Sequence, residues 1–173
     1  MKHLITGVAG FVGSNLARKL LNAGHQVTGI DNMSCGYFSN IKDLINHKSG
    51  FHYEKSDIID YKSDGGSFDS VWHFGARGEL YYCRDNIGEA IDVNVKGTLN
   101  MLKVAKESLA KHFYFADTSA EYDSFDDEQY YPTAEWMAPN TITPMGYYAI
   151  TKMAASQFVR SFGLSNDIGT TLF

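Results

Sequence analysis

Proline and cysteine are scarce in this chain, and basic residues are never clustered. Of its 173 residues only three are proline, and two of those fall within 123–143. Two cysteines, Cys35 and Cys83, stand far apart with no metal-ligand spacing around them. They read as free thiols rather than a disulfide framework or a metal site, and no metal is expected. Acidic residues outnumber basic ones and the net charge is −5. Without a Lys/Arg patch there is no footprint for nucleic acid. No apolar run reaches membrane-spanning length, so no membrane partner is expected. The strand pattern begins at Met1-Lys2-His3-Leu4-Ile5, which leaves no room for a signal peptide and points to a reducing, cytoplasmic setting. There is no internal repeat, low-complexity tract or linker. Hydrophobic residues make up 44% and aromatics 14%, a composition that suits one globular domain over 1–173.

Short apolar runs alternate with longer helical patterns. Strands are expected over 3–6, 26–30, 51–55, 70–74, 113–116 and 170–173. Helices are expected over 11–22, 41–46, 87–109 and 148–162. In the first helix Leu16, Leu20 and Leu21 share one face, and Gly24 follows as a stop. His73 and His112 end or open apolar runs and read as strand residues, not ligands. Strands alternating with such helices imply βαβ crossovers, hence an α/β fold with a doubly wound parallel sheet of Rossmann-like type. The acidic, aromatic stretch 123–143 is long for a bare connection, and loops of that length are usually functional or mobile.

Three local patterns carry chemistry. Gly7-Val8-Ala9-Gly10-Phe11-Val12-Gly13 places a G-x-x-G-x-x-G turn between the first strand and first helix. Glycines permit a tight turn and close backbone approach to a pyrophosphate, and the helix start offers N–H groups to the anion. Asp31 ends the second strand at the distance where a carboxylate accepts hydrogen bonds from the adenosine ribose hydroxyls. It would repel a 2′-phosphate, which favours NAD over NADP. Tyr148 and Lys152, four apart on a helix, share a face, and an ammonium beside a phenol should lower the phenol's pKa. Tyr147, five residues from Lys152, faces elsewhere. Thr118 or Ser119 closes the fifth strand at the sheet edge where open α/β folds bind ligands. A hydroxyl there could bond the reacting oxygen or simply cap the strand.

Taken together these residues resemble the extended short-chain dehydrogenase/reductases, in the NAD-dependent epimerase/dehydratase group, and most closely the members acting on nucleotide sugars. The resemblance runs through Asp31-Asn32-Met33-Ser34, Ser56-Asp57-Ile58, Val71 to Ala76, Asn94-Val95-Lys96-Gly97-Thr98, Thr118-Ser119 before Tyr122, and Tyr148 with Lys152. It implies NAD contacts from Gly7, Gly10, Phe11, Val12 and Gly13. Asp31 and Asn32 would touch the ribose, with Ser34 in the same segment. Asp57 and Ile58 would hold the adenine. Phe74, Gly75 and Ala76 would line the pyrophosphate and nicotinamide side, with Tyr148 and Lys152 beyond them. Asn94 would anchor nearby backbone. The implied catalytic set is Tyr148 as base, Lys152 tuning it and Thr118 orienting the hydroxyl, with hydride transfer through NAD on a nucleotide-sugar substrate. A homodimer through a four-helix interface is also implied, built from 87–109 and 148–162. Glu121 and Asp123 stand where the family has Val and Gly. Ser119 and Ala120 replace the acidic pair of the 4,6-dehydratases, and Ala120 replaces the Glu of the decarboxylases, which argues against both reactions. Phe173 lies short of the family's nicotinamide segment and of its C-terminal substrate domain. The expected activity is therefore epimerisation; the alternatives are a truncated, non-catalytic NAD-binding module or fragment, and a related sugar-nucleotide dehydratase, decarboxylase or other dehydrogenase.

Overall fold

The computed structural model describes residues 1–45, 50–122, 134 and 146–173. The stretch 123–143, apart from residue 134, lies outside the described residues, as does the end of the helix expected over 41–46.

Six parallel strands form one sheet: β1 (Lys2–Thr6), β2 (Gln26–Ile30), β3 (Phe51–Glu54), β4 (Ser70–His73), β5 (His112–Phe115) and β6 (Gly169–Leu172). Their spatial order is β3-β2-β1-β4-β5-β6. The order reverses between β1 and β4, which opens a crevice at their carboxyl ends. Successive strand residues point to opposite faces. Leu4 accordingly joins one buried cluster with Val71, Met101, Phe113 and Phe115. Ile5 joins the other with Val8, Ala17, Leu21 and Val27. Two cores on two faces make the fold doubly wound.

The helices are α1 (Phe11–Asn22), α2 (Lys42–Ile45), α3 (Leu80–Asp85), α4 (Ile87–Ile91), α5 (Thr98–Glu107) and α6 (Gly146–Asn166). Gly24 ends α1 with φ of 80°, a left-handed conformation that glycine adopts without strain. The expected single helix over 87–109 is divided. A π-helical segment, Asp92–Gly97, separates α4 from α5, and the helix closes at Glu107. Hydrophobic spacing does not reveal such an insertion, and π segments gather at functional sites. The short helix α3 also carries no apolar period of its own. β6 forms the sheet edge beyond β5, and its residues are exposed or half-buried. Among the described residues no helix is long and apolar enough to cross a membrane.

Candidate functional site

The crevice begins at Gly7, where φ is 66° and the chain turns sharply out of β1. A Cβ on Gly13 would stand 2.3 Å from the Gly7 carbonyl oxygen, so α1 packs against the turn only because that position is glycine. Gly10 caps α1 with extended backbone and no side-chain hydrogen bond, leaving the first-turn N–H groups without a side-chain cap. Phe11 and Val12 are exposed on that first turn, while Gly13 is buried behind it.

Asp31 is buried at the end of β2. One carboxylate oxygen accepts from the Ala9 N–H at 2.9 Å and the other from the Met33 N–H at 2.8 Å. The glycine turn and the β2 loop are thus tied to the same carboxylate. Asn32 donates to Asp57 at 2.7 Å, Asp57 accepts from the Ile59 N–H, and Ser34 N–H donates to Asn32. Gly7, Gly10, Asp31, Asn32, Ser34, Asp57, Ile58, Phe74, Gly75 and Ala76 all line one cleft. Arg77, Cys35, Gly36, Ser56 and Val93 line it too and were not foreseen. The signal for Arg77 was its place directly after the Phe74–Ala76 strand-end loop.

A buried chain of hydrogen bonds runs from this cleft to α6. Gly75 N–H donates to the Thr6 hydroxyl at 2.8 Å, and Thr6 is 2.7 Å from His73 Nδ1. His73 Nε2 is 3.0 Å from the Thr98 hydroxyl, which itself donates to the Asn94 carbonyl. Thr98 therefore accepts from Nε2–H, and Nδ1 accepts from Thr6, which assigns the neutral tautomer. Burial, with help from the Lys152 charge, drives the His73 pKa down to about 3. The Asn94 side chain accepts from the Arg77 N–H and donates to the Arg77 carbonyl and the Thr151 hydroxyl. Thr151 in turn donates to the Tyr148 carbonyl. Asn94 does not line the cleft; it holds the backbone that does.

At the end of β5 the Thr118 hydroxyl caps Ala120 N–H and interacts with the Tyr148 phenol. Tyr147 is exposed. The Lys152 ammonium donates to the Ala116 carbonyl at 2.6 Å and sits 3.8 Å from the Phe115 ring centroid. Burial lowers its pKa to about 8, against the pull of Asp117 and Glu121. The pKa of Tyr148 is raised, not lowered: burial dominates, and the Thr118 hydrogen bond offsets only part of it. Two side chains on one helix face share a neighbourhood, but a long lysine stem reaches the nearest buried acceptor. Glu121 is buried beside Asp117, Ser156 and Lys152, and burial together with the Asp117 carboxyl raises its pKa. Thr118, Asp117 and Glu121 border a second, open cleft against α6 and β6. The glycine-loop residues thus line one cleft and Thr118 borders another, and the buried hydrogen-bond chain runs from Gly75 in the first to the Tyr148 carbonyl on α6.

The chain is similar to known proteins. A probable UDP-glucuronate 4-epimerase of Rhizobium meliloti is 30% identical across 100% of this chain and 52% of its own length. The UDP-glucose 4-epimerase of Mycolicibacterium smegmatis is 31% identical over 94% of this chain and 51% of its own. The crystal structure of the Bacillus cereus UDP-glucuronic acid 4-epimerase with UDP-glucuronic acid and NAD superimposes with a TM-score of 0.85 at 24% identity. That match covers 99% of this chain and 55% of the other, and supports the fold. The chain spans about half the length of these relatives. Residues 3–173 match the NAD dependent epimerase/dehydratase family, and the chain belongs to that family.

Proposed function

We propose that this chain binds NAD in the cleft at the ends of β1, β2 and β4 and serves nucleotide-sugar epimerisation. The observation that carries the reading is the pairing of the two strand ends. Asp31, at the end of β2, is fixed by the Ala9 and Met33 amides, and Thr118, at the end of β5 on the far side of β1 and β4, meets the Tyr148 phenol.

The residues present suit the cofactor. Glycine at 7, 10 and 13 keeps the turn free of side chains, and the uncapped first turn of α1 offers N–H groups to a diphosphate. The Asp31 oxygens each retain acceptor capacity for ribose hydroxyls beyond the amide they hold. A 2′-phosphate would meet a carboxylate, so NAD is preferred to NADP. Asp57 and Ile58 would flank the adenine. When bound, NAD supplies the acceptor that takes a hydride from the sugar carbon and returns it to the opposite face. Tyr148 exchanges a proton with the sugar hydroxyl while Thr118 holds that hydroxyl in line. The raised pKa keeps Tyr148 protonated in the free protein, so accepting the sugar hydroxyl's proton would require the positive charge of a bound cofactor to lower it. Exposed apolar residues on the outer helices support pairing with a second copy: Ile87 and Ile91 on α4, Leu99 on α5, and Ile150 and Phe158 on α6.

A second reading is an NAD-binding module without turnover. It is favoured by the Tyr148 pKa, which burial raises, and by the Lys152 ammonium, which is bonded to the Ala116 carbonyl. Incubation with NAD and either UDP-glucose or UDP-glucuronate, followed by separation of the sugar epimers, decides between them. Epimer formation that disappears in Tyr148→Phe, with NAD binding intact, supports the enzyme. No exchange by the unaltered chain supports the module, and a Phe variant as active as its parent overturns the role of Tyr148.

A further inference from the structure

Two of the residues lining the first cleft are carboxylates, Asp31 and Asp57, and the cation among the described lining residues is Arg77. That side chain is 14% exposed. Its main chain is fixed at both ends, with the Asn94 side chain accepting from the Arg77 N–H at 2.7 Å and donating to its carbonyl at 3.1 Å. Its guanidinium is fixed as well. Nε and Nη2 both donate to Glu89, the Tyr82 ring lies 4.7 Å from Cζ, and the Tyr82 hydroxyl donates to the other Glu89 oxygen. The remaining terminal nitrogen, Nη1, points to the Cys35 thiol at 2.7 Å, on the β2 side of the cleft. A thiol sulfur is a weak acceptor, whereas a phosphate oxygen is a strong, charge-assisted one. Binding geometry prepared in advance reduces the entropy lost when a ligand arrives.

We infer that Arg77 is the cationic contact of this cleft for the diphosphate of a dinucleotide, with Nη1 exchanging Cys35 for a phosphate oxygen. The inference rests on the cofactor reading above. It also explains how a cleft holding two carboxylates accepts a dianion. Without Arg77 the phosphates would face Asp31, Asp57 and the released Glu89.

The test is titration of the unaltered chain, Arg77→Gln and Arg77→Lys with NAD, ADP and adenosine. Arg77→Gln weakens NAD and ADP by roughly 10- to 100-fold and leaves adenosine unchanged, the range for losing a charged hydrogen bond. Arg77→Lys, which keeps the charge but not the fork, falls between. In the unaltered chain, rising salt weakens NAD and ADP but not adenosine. Wild-type affinity for NAD and ADP in Arg77→Gln overturns the inference while the cofactor reading stands. An equal loss of all three ligands makes Arg77 a structural prop and also overturns it. Should Arg77→Gln fail to fold, Arg77→Lys and the salt series decide: absence of any salt effect on NAD and ADP is the contrary result. If the unaltered chain binds none of the three, the cofactor reading itself fails and takes the inference with it.

Discussion

The two clefts of this molecule are built from different materials. At the ends of β1 and β2 the shape comes from backbone: a left-handed glycine, a helix start and amide hydrogens gripping Asp31. At the end of β5 it comes from side chains of separate elements, with Thr118 and Glu121 on its border and Tyr148 and Lys152 close by, and burial displaces the pKa values of Glu121, Tyr148 and Lys152. The turn of the first cleft is fixed by steric rules that are strictest at Gly13. The second depends on charge states, which respond to ligand and pH.

The largest effect should follow from intruding on the backbone-built side. Gly13→Ala places a methyl against the Gly7 carbonyl and should lower the free energy of unfolding by about 3 kcal/mol in urea titration. An unchanged midpoint would show that the turn yields, and the contrast between the clefts would fail. Asp31→Asn should weaken NAD by about 2 kcal/mol, read by calorimetry, because an acceptor-only carboxylate becomes a neutral amide that also carries donors. Equal NAD affinity in parent and variant would remove Asp31 from the ribose.

His73 joins the two regions and gives a pH test. Its folded pKa, about 3, lies below the ordinary value of 6.5. The unfolded chain therefore binds the proton first, and stability drops as pH falls from 6.5 toward 3. The slope from this one group approaches about 1.4 kcal/mol per pH unit. His73→Gln should flatten that part of the acid profile, and an unaltered slope just below pH 6.5 would contradict the neutral assignment. The smallest effect belongs to the side-chain-built cleft. Tyr148→Phe removes one hydroxyl from a half-buried ring and should change stability by about 1 kcal/mol or less, with NAD affinity unmoved. A large loss of either would place the phenol in the scaffold rather than in the chemistry.

The same division explains what could be read from the sequence. The alternation of strands and helices, the glycine turn and Asp31 are local patterns whose spacing follows directly from chain geometry, and the sheet order agrees with them. For Arg77 the sequence offered only its place after Phe74–Ala76; nothing in its neighbours announces Asn94, Glu89 and Cys35, which reach it from other elements. Nor was the π segment legible, since an inserted residue leaves the hydrophobic period nearly intact. Lys152 shows the limit most clearly. Helical spacing put it on one face with Tyr148, but it could not announce the buried acceptor its flexible terminus reaches, the Ala116 carbonyl. The departure at Glu121, visible as an acid where the family carries Val, became interpretable only with Asp117, Ser156 and Lys152 around it.

The central claim is that the cleft beneath the glycine turn is an NAD site, and calorimetric titration of the chain with NAD beside NADP tests it most directly. The account predicts saturable binding of NAD with clear preference over NADP, as the Asp31 carboxylate requires. No binding of NAD, or equal binding of the two, would contradict it.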